Sequence, residues 1–127
     1  MNTKKLAPIL LFTYNRPWHT QQVLESLQKN ELSEESELFI FSDGAKDYKD
    51  EAPVGKTRKI LAQTRGFKKI TIIERPVNYG LAANIINGVS SIIEEYGRVI
   101  VLEDDLITAP TFLTFMNNAL TMYEDVD

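Results

Sequence analysis

The sequence predicts an α/β fold built on a doubly wound, mostly parallel sheet. Three observations lead there. Short, largely apolar runs recur four times, at residues 9–12, 38–41, 70–73 and 99–102. Between and after them lie segments with apolar residues at helical spacing. Each run ends in polar or charged residues. Strands without polar alternation suit a sheet covered on both faces, and strands alternating with helices suit parallel pairing.

The elements follow in β-α-β-α-β-α-β-α order. Residues 9–12 make strand one, preceded by a lysine-bearing leader at residues 1–5. Pro17 suits the first position of a helix, where its missing N–H costs nothing. That helix runs to about Lys29 with Val23, Leu24 and Leu27 inward and Trp18 as a packing residue at its start. After strand two, residues 46–53 are charged, lack an apolar anchor and read as a surface loop. A second helix is expected from Val54 to Arg65, with Ile60 and Leu61 inward, Lys56, Arg58 and Lys59 outward, and Gly66 as its stop. Gly55-Lys56-Thr57 resembles the end of a phosphate-binding loop, but Asp50 stands where that loop needs glycine and no strand precedes it.

The third helix has the clearest period: Ala82, Ile85, Ile86, Val89, Ile92, Ile93 and Tyr96, closed by Gly97. A last helix opens near Thr108-Ala109-Pro110 and carries a stripe of Phe112, Phe115, Met116, Ala119 and Tyr123.

Bulk composition narrows the function. The 127 residues suffice for one domain with a core, and the 43% apolar and 25% charged content is that of a globular protein. A net charge of −4 argues against a nucleic-acid binder. The chain has no Cys and one His, His19, so thiol chemistry and histidine-built metal sites are excluded. No apolar stretch approaches the roughly 20 residues of a membrane span, and no small-residue cleavage site follows the leader. A cytoplasmic location is expected.

Chemistry collects where the fourth apolar run meets Glu103, Asp104 and Asp105. Two unit charges about 4 Å apart at an effective dielectric near 20 repel by roughly 4 kcal/mol. A divalent cation relieves that cost, and so does plain solvation. In open α/β sheets, ligands bind beyond the carboxyl ends of the strands. Those ends supply Thr13, Tyr14, Asn15 and Arg16, then Asp43 and Gly44, then Asn78, Tyr79 and Gly80, then the three acids. The set suits a nucleoside diphosphate held with Mg²⁺ or Mn²⁺: Arg16 pairs with phosphate and Asp43 accepts a uracil imide N–H. Strand alternation predicts Glu103 and Asp105 on one side and Asp104 on the other.

Four stretches carry a resemblance: residues 8–17, 41–44, 78–84 and 101–105. In this order the chain resembles the nucleotide-sugar-binding half of a GT-A fold glycosyltransferase, of the inverting family-2 or N-acetylglucosaminyltransferase-I type. The resemblance implies a Rossmann-like domain over residues 1–127 that transfers sugar from a UDP-sugar to a saccharide or other hydroxyl acceptor. It implies that Thr13 and Tyr14 line the base pocket, that Arg16 lies near the base or phosphates and that Asp43 holds uracil beside Gly44. Asn78, Gly80 and Asn84 would form the wall near ribose, diphosphate and sugar. Glu103, Asp104 and Asp105 stand at the Asp-x-Asp motif, with Asp105 as metal ligand.

The general base is expected downstream of Asp127. Asp125 and Asp127 follow the acidic motif too closely to be assigned that role. The chain is therefore expected to be a donor-binding part, weak or silent in turnover alone, with apolar surface that favours self-association. Three rivals remain. A response-regulator receiver would need acids after strand one. A nucleotidyltransferase would need a glycine-rich basic loop there. A non-catalytic α/β module, with the acids merely structural, is separated by an inert Asp105→Ala.

Overall fold

The computed structural model describes residues 6–124, so the leader at 1–5, Asp125 and Asp127 lie outside the described residues. Four strands form one parallel sheet: β1 (Ile9–Thr13), β2 (Glu37–Ser42), β3 (Lys69–Glu74) and β4 (Ile100–Glu103). Their spatial order is β3-β2-β1-β4, with Ile9 opposite both Leu38 and Ile100. The chain steps outward from β1 to β3 and then returns to the other side of β1. That reversal opens a crevice between the carboxyl ends of β1 and β4, the switch point where such sheets bind ligands.

Alternation within the strands divides the core. Ile9, Leu11, Leu38, Ile40, Ile100 and Leu102 face helices α1 (Pro17–Gln28), α2 (Tyr48–Ala62) and α4 (Phe112–Glu124). Leu10, Phe12, Phe39 and Phe41 face α3 (Leu81–Tyr96) alone, against Ile85, Val89, Ile92 and Tyr96. The Phe12 and Phe41 rings stack at 4.8 Å, and α3 comes close enough to them only because Gly88 has no side chain. Pro17 does open α1, and Gly97 closes α3 at φ 81°, where glycine is unstrained.

Several expectations are corrected. The region from Tyr48 to Pro53 is not a loop but the first turns of α2. Asp47 caps it by accepting the Lys49 N–H at 2.9 Å, and Asp50 and Glu51 favour the positive end of the helix. Pro53 sits near enough to the start that only one helical hydrogen bond is lost. The helix ends at Ala62, with Gln63 as its cap, so Gly66 is a later turn residue. Arg58 turns inward to Ser42 and to the carbonyls of Ser42, Asp43 and Arg75. Trp18 does not pack: it is 66% exposed.

The strand before the acidic motif is not buried on both faces. β4 is an edge strand with Val101 40% exposed, because α3 covers its face only in part. Within α3 the expected inner residues Ala82, Ile86 and Ile93 point outward, while Asn84 and Gly88 take the buried stripe. The last helix starts at Phe112 rather than near Thr108 and buries Leu113, which the stripe had omitted. Phe112 and Met116 pack on the core, whereas Phe115 is 68% exposed. Asn117 and Asn30 anchor this helix by accepting the N–H groups of Ala7 and Leu113, each at 2.8 Å.

Candidate nucleotide-sugar site

A cavity of about 420 Å³ opens at the switch point, within the range of small-molecule sites. Thr13, Tyr14 and Arg16 enter it from the end of β1, Asp43 from β2, Asn78, Gly80 and Asn84 from the approach to α3, and Glu103, Asp104 and Asp105 from β4. Ten of the expected site residues thus surround one space; the exception among them is Gly44. Gly44 instead packs behind the lining, where a Cβ would lie 2.5 Å from the Val77 carbonyl carbon. Its lack of a side chain lets the 77–78 backbone cross β2's exit.

Asp43 is buried, and its carboxylate is fully engaged within the protein. Oδ1 accepts the N–H groups of Gly44 and Tyr79, both at 2.8 Å. Oδ2 accepts the Gly80 N–H at 3.0 Å and the Asn78 side-chain amide at 3.3 Å. A carboxylate has about four acceptor positions, so none remains for a uracil N–H in this arrangement. In this arrangement Asp43 fixes the Asn78–Gly80 turn that forms one wall.

The three acids do not alternate as a strand would. β4 ends at Glu103, and Asp104 and Asp105 follow in a turn, so all three line the cavity. Asp104 is the most constrained. Burial pushes its carboxyl above the usual aspartate range and Asp105 adds to this, while Arg16, the Tyr14 backbone N–H and His19 pull it back. Asp105 is exposed. Among the described residues no three His, Cys, Asp or Glu side chains converge as a ready-made metal cage.

The lining also holds Asn15, from the first motif, and Lys46, which lies outside the sequence motifs. Lys46 follows β2's exit by four positions and is exposed. It adds a second cation, beside Arg16, to a lining that also carries the three acids. Its position after a strand end was the available signal, hidden by reading 46–53 as an unanchored loop. Behind the lining, Arg75 donates to Asn84 Oδ1 at 3.0 Å and Asn87 Oδ1 at 2.8 Å. Its guanidinium also lies 4.5 Å from the Tyr79 ring centroid.

The family model for Glycosyl transferase family 2 matches residues 9–123, from the first residue of β1 into α4. The chain belongs to glycosyl transferase family 2. The fold is the α/β, Rossmann-like arrangement expected of the donor half of a GT-A enzyme. A search of curated proteins returned no match to the chain. Membership of family 2 makes glycosyl transfer the reaction class and a nucleotide-sugar donor and an acceptor the partners. No helix among the described residues is long and apolar enough to cross a membrane.

Proposed function

We propose that this family-2 domain binds the nucleoside diphosphate part of a UDP-sugar in the switch-point cavity, for metal-dependent, inverting transfer to a hydroxyl acceptor. The observation that carries the reading is the division of the cavity wall: Arg16 and Lys46 bring positive charge, and Glu103, Asp104 and Asp105 bring carboxylates, all into one 420 Å³ space. A diphosphate needs both, the cations for its oxygens and carboxylates for the ion that travels with it.

Oxygen donors without His or Cys suit Mg²⁺ or Mn²⁺, which keep waters and bind through one or two carboxylates plus phosphate. Asp105, exposed at the cavity edge, is the residue that would hold the ion, as the Glu-Asp-Asp likeness to the N-acetylglucosaminyltransferase-I type suggests. Such an ion would supply Lewis-acid neutralisation of the departing diphosphate.

The chain's own groups do the rest. Tyr14 offers a ring edge to the base, and Thr13 floors the pocket with its hydroxyl already donated to the Phe41 carbonyl at 3.2 Å. Asp43 holds the Asn78–Gly80 wall, which with Asn84 bounds the sugar side. Uracil is favoured by the family resemblance, and none of these residues is assigned as the general base.

The test is the thermal midpoint with UDP, GDP and CDP, each with and without Mn²⁺. A ligand at 100 times its dissociation constant adds about 2.7 kcal/mol, a rise of roughly 10 °C for a domain of this size. A rise with UDP that requires Mn²⁺ and vanishes in Asp105→Ala is expected. No rise with any nucleotide would sink the reading.

A further inference from the structure

Asp50 belongs to no motif of the cavity, yet its carboxylate is directed at the cavity wall. It stands in the first turn of α2, a helix whose N-terminus is already capped by Asp47. Both Asp50 oxygens serve one segment some 35 residues earlier in the chain. Oδ2 accepts the Tyr14 hydroxyl at 2.5 Å, and Oδ1 accepts the Asn15 side-chain amide at 3.0 Å. Tyr14 and Asn15 both line the cavity. The Tyr14 hydroxyl in turn accepts the Lys46 backbone N–H at 2.9 Å. The phenol oxygen is therefore held from two directions, which leaves its ring one orientation.

Tyr14 is thus a strut from the first turn of α2 to the end of β1, on the lining of the cavity. Asp50 is a short, charge-assisted anchor for that strut, and hydrogen bonds to ionised acceptors are shorter and stronger than neutral ones. Its own carboxyl is held below the usual aspartate range, first by the Tyr14 hydroxyl and then by Asn15.

We propose that Asp50 is a positioning residue for the nucleotide cavity, fixing the Tyr14 ring and the Asn15 amide from the first turn of α2. The inference rests on the nucleotide reading of the cavity. Asp50 touches no ligand in this role; it acts through Tyr14. Without it the Tyr14 hydroxyl has only the exposed Lys46 N–H, one bond that does not hold the ring, so the half-buried ring turns toward solvent and leaves Lys46.

Two measurements on the full chain test it. The first needs no ligand: the nuclear Overhauser contact between the Tyr14 ring protons and the Lys46 amide proton. It should be present in the wild type, kept in Asp50→Asn, whose amide oxygen still accepts the phenol, and lost in Asp50→Ala. The second is calorimetric binding of UDP with Mn²⁺. Asp50→Ala should weaken it roughly tenfold, the loss of one hydrogen bond to a charged group, and Asp50→Asn should restore most of it. Adding Tyr14→Phe to Asp50→Ala should cost less than the sum of the two single changes, since both remove the Asp50–Tyr14 link. A residue that merely stabilised α2 would show neither the rescue nor the non-additivity. A Tyr14–Lys46 contact that survives in Asp50→Ala, or UDP affinity equal to wild type in that variant, overturns the proposal. If the wild type binds no UDP, the nucleotide reading fails, and the ligand-free contact alone decides whether Asp50 sets the wall. Should Asp50→Ala not fold, Tyr14→Phe removes the same hydrogen bond from its other end, and unchanged UDP affinity there overturns the proposal equally.

Discussion

Asp43 Oδ2 accepts the Gly80 backbone N–H at 3.0 Å, tying the exit of β2 to the entry of α3 across 37 positions of sequence. The bond holds Gly80 at φ 84°, a backbone conformation natural to glycine. Together with the Tyr79 N–H, it makes the buried Asp43 carboxylate the hinge-pin of the 78–80 wall.

Asp43→Ala should therefore act on stability and binding together. The Tyr79 and Gly80 N–H groups lose their acceptor, and the cost is about 2–4 kcal/mol. Urea unfolding should show the loss as a lower midpoint with the slope unchanged. Any Mn²⁺-dependent UDP binding should disappear even under conditions where the variant is folded.

Gly88→Ala tests the packing of α3 on the sheet. An added Cβ would lie 2.8 Å from Phe12 Cζ and 3.1 Å from Phe41 Cε1. Those two rings are buried and stacked on each other, so neither can turn aside. The helix must lift instead. Overpacking of this kind costs about 1–3 kcal/mol, and the thermal midpoint should fall by several degrees. An unchanged midpoint would mean that α3 is less tightly seated than this geometry requires.

Arg75→Lys should not behave as a conservative change. The guanidinium serves Asn84 and Asn87 at once and lies against the Tyr79 ring, a planar fork that an ammonium cannot copy. A loss of about 1–2 kcal/mol is expected from the missing hydrogen bond and ring contact. Amide hydrogen exchange should show the faster opening concentrated at residues 78–87 rather than spread over the sheet.

The alkaline limb of stability should report Tyr96. Its hydroxyl donates to Glu37 Oε2 at 2.8 Å, and that bond, with burial behind it, pushes the phenol from its usual 10 up to about 12. The folded state thus keeps this proton where the unfolded state releases it. The stabilisation is complete below pH 10 and is lost as pH rises through 12. Unfolding measured across that window should fall more steeply for the wild type than for Tyr96→Phe. Parallel slopes would show that the Glu37 bond is not formed in solution.

The sheet was legible because its signal is local. A run such as Leu38 to Phe41 can hide both faces only inside a covered sheet, and the helical period of Ile85, Val89 and Ile92 points one way. The gathering of Thr13, Tyr14, Arg16, Asn78, Gly80, Asn84 and the three acids was legible too, since parallel strands put all their exits on one edge. What misled was judging α2 by its apolar residues. Its first turns, Tyr48 to Pro53, carry a cap and dipole-favourable acids instead of an apolar face, so a pattern built on hydrophobic periodicity passes over them.

Fold class, the order of elements and the edge where the site lies all follow from periodicity and from the chemistry of neighbouring residues. The strand order β3-β2-β1-β4, and with it the crevice between β1 and β4, emerges only on folding. So do the occupation of Asp43 by the 78–80 backbone, the inward turn of Arg58 and the reach of Asp50 to Tyr14. Those are hydrogen bonds between groups 15 to 37 positions apart. A charged side chain in a sequence carries no mark of which distant donor will fill its lone pairs; that is settled when the helices close on the sheet.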